Sequence, residues 1–167
     1  MHFGFSYTGM IFLLMLFIPN GLWAKNQPKD YELYVKNENK TLLILERIGE
    51  VLVTVLLLIF DDFNVHGLRP WLAWLIAALL IMLLYEAFWI RYFRSEKTMK
   101  DFYCGILGIP LAGATLPVIG VCLIAIYGGN LPLLMADVIL GIGHIGIHLQ
   151  HSRETVDRMP RSGSEAS

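Results

Sequence analysis

Charge and cysteine are what this sequence has least of. Among its 167 residues there are two cysteines, Cys104 and Cys122. Both fall within one apolar run, which excludes a disulfide framework and a cysteine-based metal motif. Charged residues make up only 16% of the chain and leave a net charge of -1. No basic face with interleaved aromatics occurs, so no nucleic-acid partner is expected. There is no G-x-S-x-G, no phosphate-binding loop, and no G-x-G-x-x-G placed after a strand, so no nucleotide cofactor is expected.

What fills the chain instead is apolar: 56% of residues are hydrophobic, and the mean hydropathy is +0.57. A membrane-spanning helix needs roughly 20 such residues, and five stretches come close, at about 4-23, 42-62, 71-93, 102-127 and 131-150. The expected fold is therefore an all-α integral membrane protein, a five-transmembrane-helix bundle forming one domain over residues 1-151, with residues 152-167 as a disordered cytoplasmic tail. The first run is read as a helix rather than a cleaved leader. No Lys or Arg precedes it, and Leu22-Trp23-Ala24 lacks the small residues that cleavage needs.

Charge gives the orientation. With five spans, Lys25, Lys29, Lys36 and Lys40, then Arg47, Arg91, Arg94, Lys97 and Lys100, then Arg153, Arg158 and Arg161, all fall on one side, and Arg69 alone falls on the other. By the positive-inside rule that side is cytoplasmic. The amino terminus is then outside and the carboxyl terminus inside, in a multi-pass protein of the plasma membrane. Membrane lipids are its expected neighbours, and a homo-oligomer is expected if five helices are to build a transport path.

The fourth run carries Pro110 and Pro117, each of which removes a backbone donor and frees the carbonyl four residues earlier, at Ile106 and Gly113. A helix kinked or broken there follows, with Pro110, Gly113 and Pro117 as the hinge. Gly105, Gly108 and Ala112 read as a small-residue stripe for close packing.

Ionisable residues inside the runs are few, and at bilayer depth they need partners or a cavity. Glu46 and Glu50 share one face of the second run, and Glu86 lies near the end of the third. In GIGHIGIHLQHSRE, steps of about 100 degrees place Asp137, His144, His148 and His151 within about 60 degrees of one another. The rise per residue puts His144 ~18 Å and His148 ~24 Å below the outer end of the fifth helix. These groups, with Asn20 at the end of the first run, converge on the cytoplasmic half.

Two histidines at i and i+4 can offer nitrogens to one metal ion. His144, His148, Glu46 and Glu50, with His151 as a weaker member, form an expected site for zinc or another divalent cation. Glu86, Asp137, Arg47 and Asn20 stand as its proton-transfer or outer groups. Protonatable histidines without a metal, and inert interfacial ones, are the alternatives. Haem is not expected, because two histidines on one helix face cannot reach opposite sides of the iron. Within Glu46-Arg47-Ile48-Gly49-Glu50 a local ion pair is the plainer reading.

The terminal H-x-x-x-H at His144 and His148, with buried carboxylates elsewhere, resembles intramembrane metal hydrolases of the ceramidase and adiponectin-receptor type. The resemblance is confined to those two residues, and the seven helices and early histidine and serine of such families have no counterpart here. It implies metal-activated water attacking a lipid-like substrate. A proton- or cation-coupled transporter of a small solute is the second expectation, and an accessory or assembly protein without catalysis the third.

Overall fold

The computed structural model describes residues 1-67 and 70-158. Arg69, Arg161 and the end of the expected tail lie outside the described residues. The described chain is helical, in seven α-helices: α1 (Tyr7–Ala24), α2 (Glu32–Val35), α3 (Lys40–Ile59), α4 (Leu72–Phe93), α5 (Met99–Tyr103), α6 (Ala112–Tyr127) and α7 (Leu131–Asp157), with a 3-10 turn at Asp61–Phe63.

Helix starts follow local capping chemistry. Ser6 accepts from the Gly9 amide, Asn39 from Thr41 and Leu42, and Asn130 from Leu133, each satisfying amides that the first turn leaves unpaired. The five long helices pack with α7 between α3 and α6, α4 against α6, and α1 against α3 and α4. The core between them is aromatic and aliphatic, with Phe12, Leu57, Met82, Tyr85, Phe88, Leu116 and Ile124 essentially inaccessible.

α1, α4 and α7 are long and apolar enough to cross a membrane. α6 is apolar but only 16 residues long. α3 is 20 residues long but carries Glu46, Arg47 and Glu50 in its first half, which sets it apart from a plain apolar span. This is a helical membrane protein in class, with three helices able to span the bilayer.

The fourth apolar run is broken at Pro110, as its sequence implies, but the break is wider than a hinge and Pro117 does not interrupt α6. The run is not one helix over 102-127: α5 ends at Tyr103 and α6 starts at Ala112. Between them Leu107 and Gly108 take positive φ values of 50° and 80°. Ile106 and Ile109 exchange backbone hydrogen bonds of 2.9 and 3.2 Å, so the chain makes a tight hairpin turn. The Ile106 carbonyl freed by Pro110 is thus taken by the Ile109 amide. The break lies before and at Pro110, and α6 runs on through Pro117. Gly105 and Gly108 belong to this turn and not to a helix-packing stripe.

Arg91 holds the turn in place. Its guanidinium donates to the carbonyls of Cys104 at 2.6 Å, Gly105 at 2.7 Å and Asp101 at 3.3 Å. Asp101 and Cys104 carry carbonyls that the short α5 leaves unpaired at its end, and Gly105 belongs to the turn beyond it.

α7 continues through Asp157, so Ser152–Asp157 is helical where a disordered tail was expected. The cause is tertiary: His151 and Thr155 are buried, and the loop after α1 folds onto them through α2.

Candidate functional site

The approach of α3 to α7 builds the site. A Cβ added at Gly49 would fall 2.5 Å from the Leu140 backbone, and one at Gly143 would strike the backbone of Glu46. Glycine at both positions lets the two helices touch, as small residues do in membrane bundles. That contact brings Glu46 on α3 to His144 on α7, with Oε1 2.5 Å from Nδ1. Glu46 is buried and the His144 side chain about one-fifth exposed, so the pair is partly withdrawn from solvent, and a proton on His144 Nδ1 donates to the carboxylate.

The pair opens on a cavity of about 260 Å³ between α1, α3, α4, α5 and α7. Asn20, Glu46, Arg47, Glu50, Gly113, His144 and His148 all line it. Seven of the residues expected from the sequence at the site or hinge therefore share one space. The His148 ring stands edge-on to His144, with centroids 4.6 Å apart, and against Phe102 and Tyr103. Asn20 Oδ1 accepts from the Tyr85 hydroxyl at 3.4 Å.

Glu50 is turned differently. Its carboxylate accepts from Arg47 at 2.8 Å, on the more exposed side of α3, so the plainer local ion pair is what forms. Among the described residues, three His, Cys, Asp or Glu side chains bring ligand atoms within 4.8 Å of one another at His2, Asp61 and Asp62, at the far end of the bundle. In the cavity set Glu46 and His148 each stand close to His144, while Glu50 is turned to Arg47.

Besides Pro110 in the turn and His151, three expected residues lie elsewhere. Glu86 on α4 is not on the cavity wall, and its Oε1 is buried without a hydrogen bond. Asp137 faces a groove between α6 and α7. Pro117 lines an adjoining apolar recess.

His151 lies beneath the cavity and is fully buried. Its Nδ1 is 3.2 Å from the Tyr103 hydroxyl, and its ring is flanked edge-on by Tyr31 and Tyr34. Nε2 is 3.3 Å from Glu38 Oε1 but off the hydrogen-bond line. Burial, helped by the nearby Glu46 charge, pushes the Glu38 carboxyl above its ordinary value. Burial likewise raises the Tyr31 and Tyr103 hydroxyls, keeping both as neutral donors. Tyr31, Glu38 and Tyr103 were missed in the sequence. The aromatic spacing around Tyr31 and Tyr34 in the first loop was the available signal.

The apolar recess extends the cavity. It shares Asn20, Glu50 and His144 with it and is otherwise walled by residues such as Leu13, Leu16, Phe17, Val53 and Val121. Phe17 is 53% exposed, so the recess reaches the bundle's outer surface. The polar cavity and the apolar recess thus adjoin across Asn20, Glu50 and His144.

Comparison with protein-family models, with curated proteins and with solved structures gave no match.

Proposed function

We propose that this membrane protein binds the polar end of a lipid-like molecule at the Glu46–His144 pair and its hydrocarbon in the adjoining recess, and hydrolyses it. The observation that carries the reading is that the carboxylate–imidazole pair adjoins an apolar recess at the bundle surface, with His144 lining both spaces. Such pockets are mostly apolar with a few convergent polar groups. Glu46 orients the imidazole and stabilises it when protonated, so His144 can take a proton from water as that water attacks an acyl or phosphoryl centre.

A divalent ion such as zinc belongs to the same proposal as an alternative activator. His144 and Glu46 would hold it, with His148 and Glu50 turning in to complete mixed nitrogen and oxygen ligation. Hydrolysis of a panel of lipid esters by purified protein tests the reading. Activity that falls at least a hundredfold in His144→Ala and is indifferent to chelators supports the metal-independent form. Loss on chelation with stoichiometric zinc supports the metal form. Full activity in His144→Ala removes both.

The proposal includes five crossings, with α3 and α6 joining the three long apolar helices, an outside amino terminus and the cavity in the cytoplasmic half of a plasma-membrane protein. The concentration of basic residues at the α1–α3 and α4–α5 connections supports it. Single cysteines at 32 and 96 labelled from the cytoplasmic side, and at 66 and 129 from the outside, are the expected pattern.

A second reading rests on the succession of His144, His148 and His151 down one side of α7, with Tyr103 between the last two. This succession suits proton movement coupled to transport of a small solute. Proton-driven uptake into proteoliposomes that is abolished by His148→Phe favours it, and pH-indifferent flux opposes it.

A further inference from the structure

Asp137 lies two turns along α7 from His144 and outside the cavity described above. Its side chain is 2% exposed, and Oδ1 is buried without a hydrogen-bond partner. A carboxyl group within a membrane-crossing helix is costly unless it meets a donor or a cation.

Asp137 sits in a separate open groove of about 310 Å³ between α6 and α7. The α6 wall is Val118, Ile119, Cys122 and Leu123, and the α7 wall continues through Leu134, Val138 and Ile142. Both walls repeat at helical spacing, so the groove runs along the helices for about two turns. Its rims are exposed and wholly apolar, with Ile119 at 41%, Val138 at 55% and Ile142 at 54%. Gly141 thins the floor, and a Cβ there would press on Val118 at 3.1 Å. A trough of this shape takes the ridge of another helix.

We propose that the groove receives a single apolar transmembrane helix of another protein, which brings a lysine or an arginine to Asp137. Charge complementarity selects that occupant over a second copy of this chain. The cations within this chain's long helices, Lys40 and Arg47 in the first half of α3, Arg91 at the end of α4 and Arg153 in the last turns of α7, all sit at the end where α7 finishes, and Arg47 and Arg91 are already engaged by Glu50 and by the α5–α6 turn. Asp137 is within two turns of the start of α7, at the opposite end. Two copies sharing one orientation in a bilayer cannot bring these groups to the same depth. A polar residue of the partner would act as the specific tie, with apolar packing along the rims supplying the rest.

The test uses the full chain in lipid nanodiscs and a labelled synthetic helix of leucine and alanine with one lysine at the depth of Asp137. Its control has leucine at that position. The lysine helix is expected to bind roughly tenfold more tightly than the control and to shield Cys122 from a membrane-permeant maleimide. The preference should vanish in Asp137→Leu and shrink in Asp137→Asn, which keeps the shape and hydrogen-bonding capacity if the leucine variant fails to fold. Equal binding of the two helices, a lysine preference that survives both substitutions, or unshielded Cys122 would overturn the proposal. So would wild-type self-association that is lost in Asp137→Asn, because a second copy would then occupy the groove.

Discussion

Glu46 Oε1 and His144 Nδ1 meet at 2.5 Å, and this contact ties the first half of α3 to the middle of α7 in a partly buried setting. Removing one partner leaves the other buried without its mate, which costs about 1–3 kcal/mol. Glu46→Ala and His144→Ala should each lower the melting temperature, and the double variant should fall by less than their sum. Additive losses in a double-mutant cycle would mean that the contact contributes nothing.

The contact depends on how closely the two helices approach. Gly143→Leu places a side chain where the Glu46 backbone stands and should destabilise the bundle by more than 2 kcal/mol while separating the Glu46–His144 pair. Gly21→Leu is the control, since nothing lies near its Cβ direction. A Gly143→Leu protein that melts like wild type would contradict the packing described.

Arg91 collects three carbonyls from the turn between α5 and α6. A lysine has the charge but not the planar fork, so Arg91→Lys should release the turn almost as fully as Arg91→Ala. Faster amide hydrogen exchange over residues 104-109, with α4 and α6 unchanged, is the expected result.

Thr98 and Asp101 form a reciprocal cap at the start of α5. Hydrogen bonds from the Thr98 backbone and side chain hold the Asp101 carboxyl below its usual 3.8. A carboxyl whose folded value is depressed stabilises the fold above its unfolded value and loses that contribution as pH falls through the folded one. Asp101→Asn should therefore lower stability by about 1 kcal/mol at neutral pH. The gap from wild type should close below pH 3.8. A gap that is constant with pH would assign the effect to shape instead.

Much of this arrangement was legible from pattern alone, and the exceptions have physical causes. α1 and α4 start and stop within three residues of the apolar runs that announced them, because flanking polar residues mark those ends sharply. Pro110 announced a break in the 102-127 run, but its extent was invisible to hydropathy, since the whole run is apolar. It depends on left-handed conformations at Leu107 and Leu111, which no residue preference announces. Ser152–Asp157 reads as a polar tail yet stays helical because His151 is held by Tyr103 and the first loop.

The cavity set emerged from charge topology and helix rise, which put Glu46 and His144 at one depth. A shared helix face was not enough for Asp137. It lies nearly in line with His144, but two turns away the neighbouring helix is α6 rather than α3, so the same stripe faces different surroundings. Glu50, four residues from Glu46, was drawn off by Arg47, a local competitor that face-counting alone does not weigh.

Native mass spectrometry of the protein released from lipid nanodiscs tests the central proposal most directly, by comparing wild type with Val53→Trp, which fills the apolar recess, and with the His144→Ala, Glu46→Gln double variant. The account predicts one lipid-like molecule retained per wild-type chain and at least a tenfold loss of that species in both variants. Equal retention in all three proteins would contradict it.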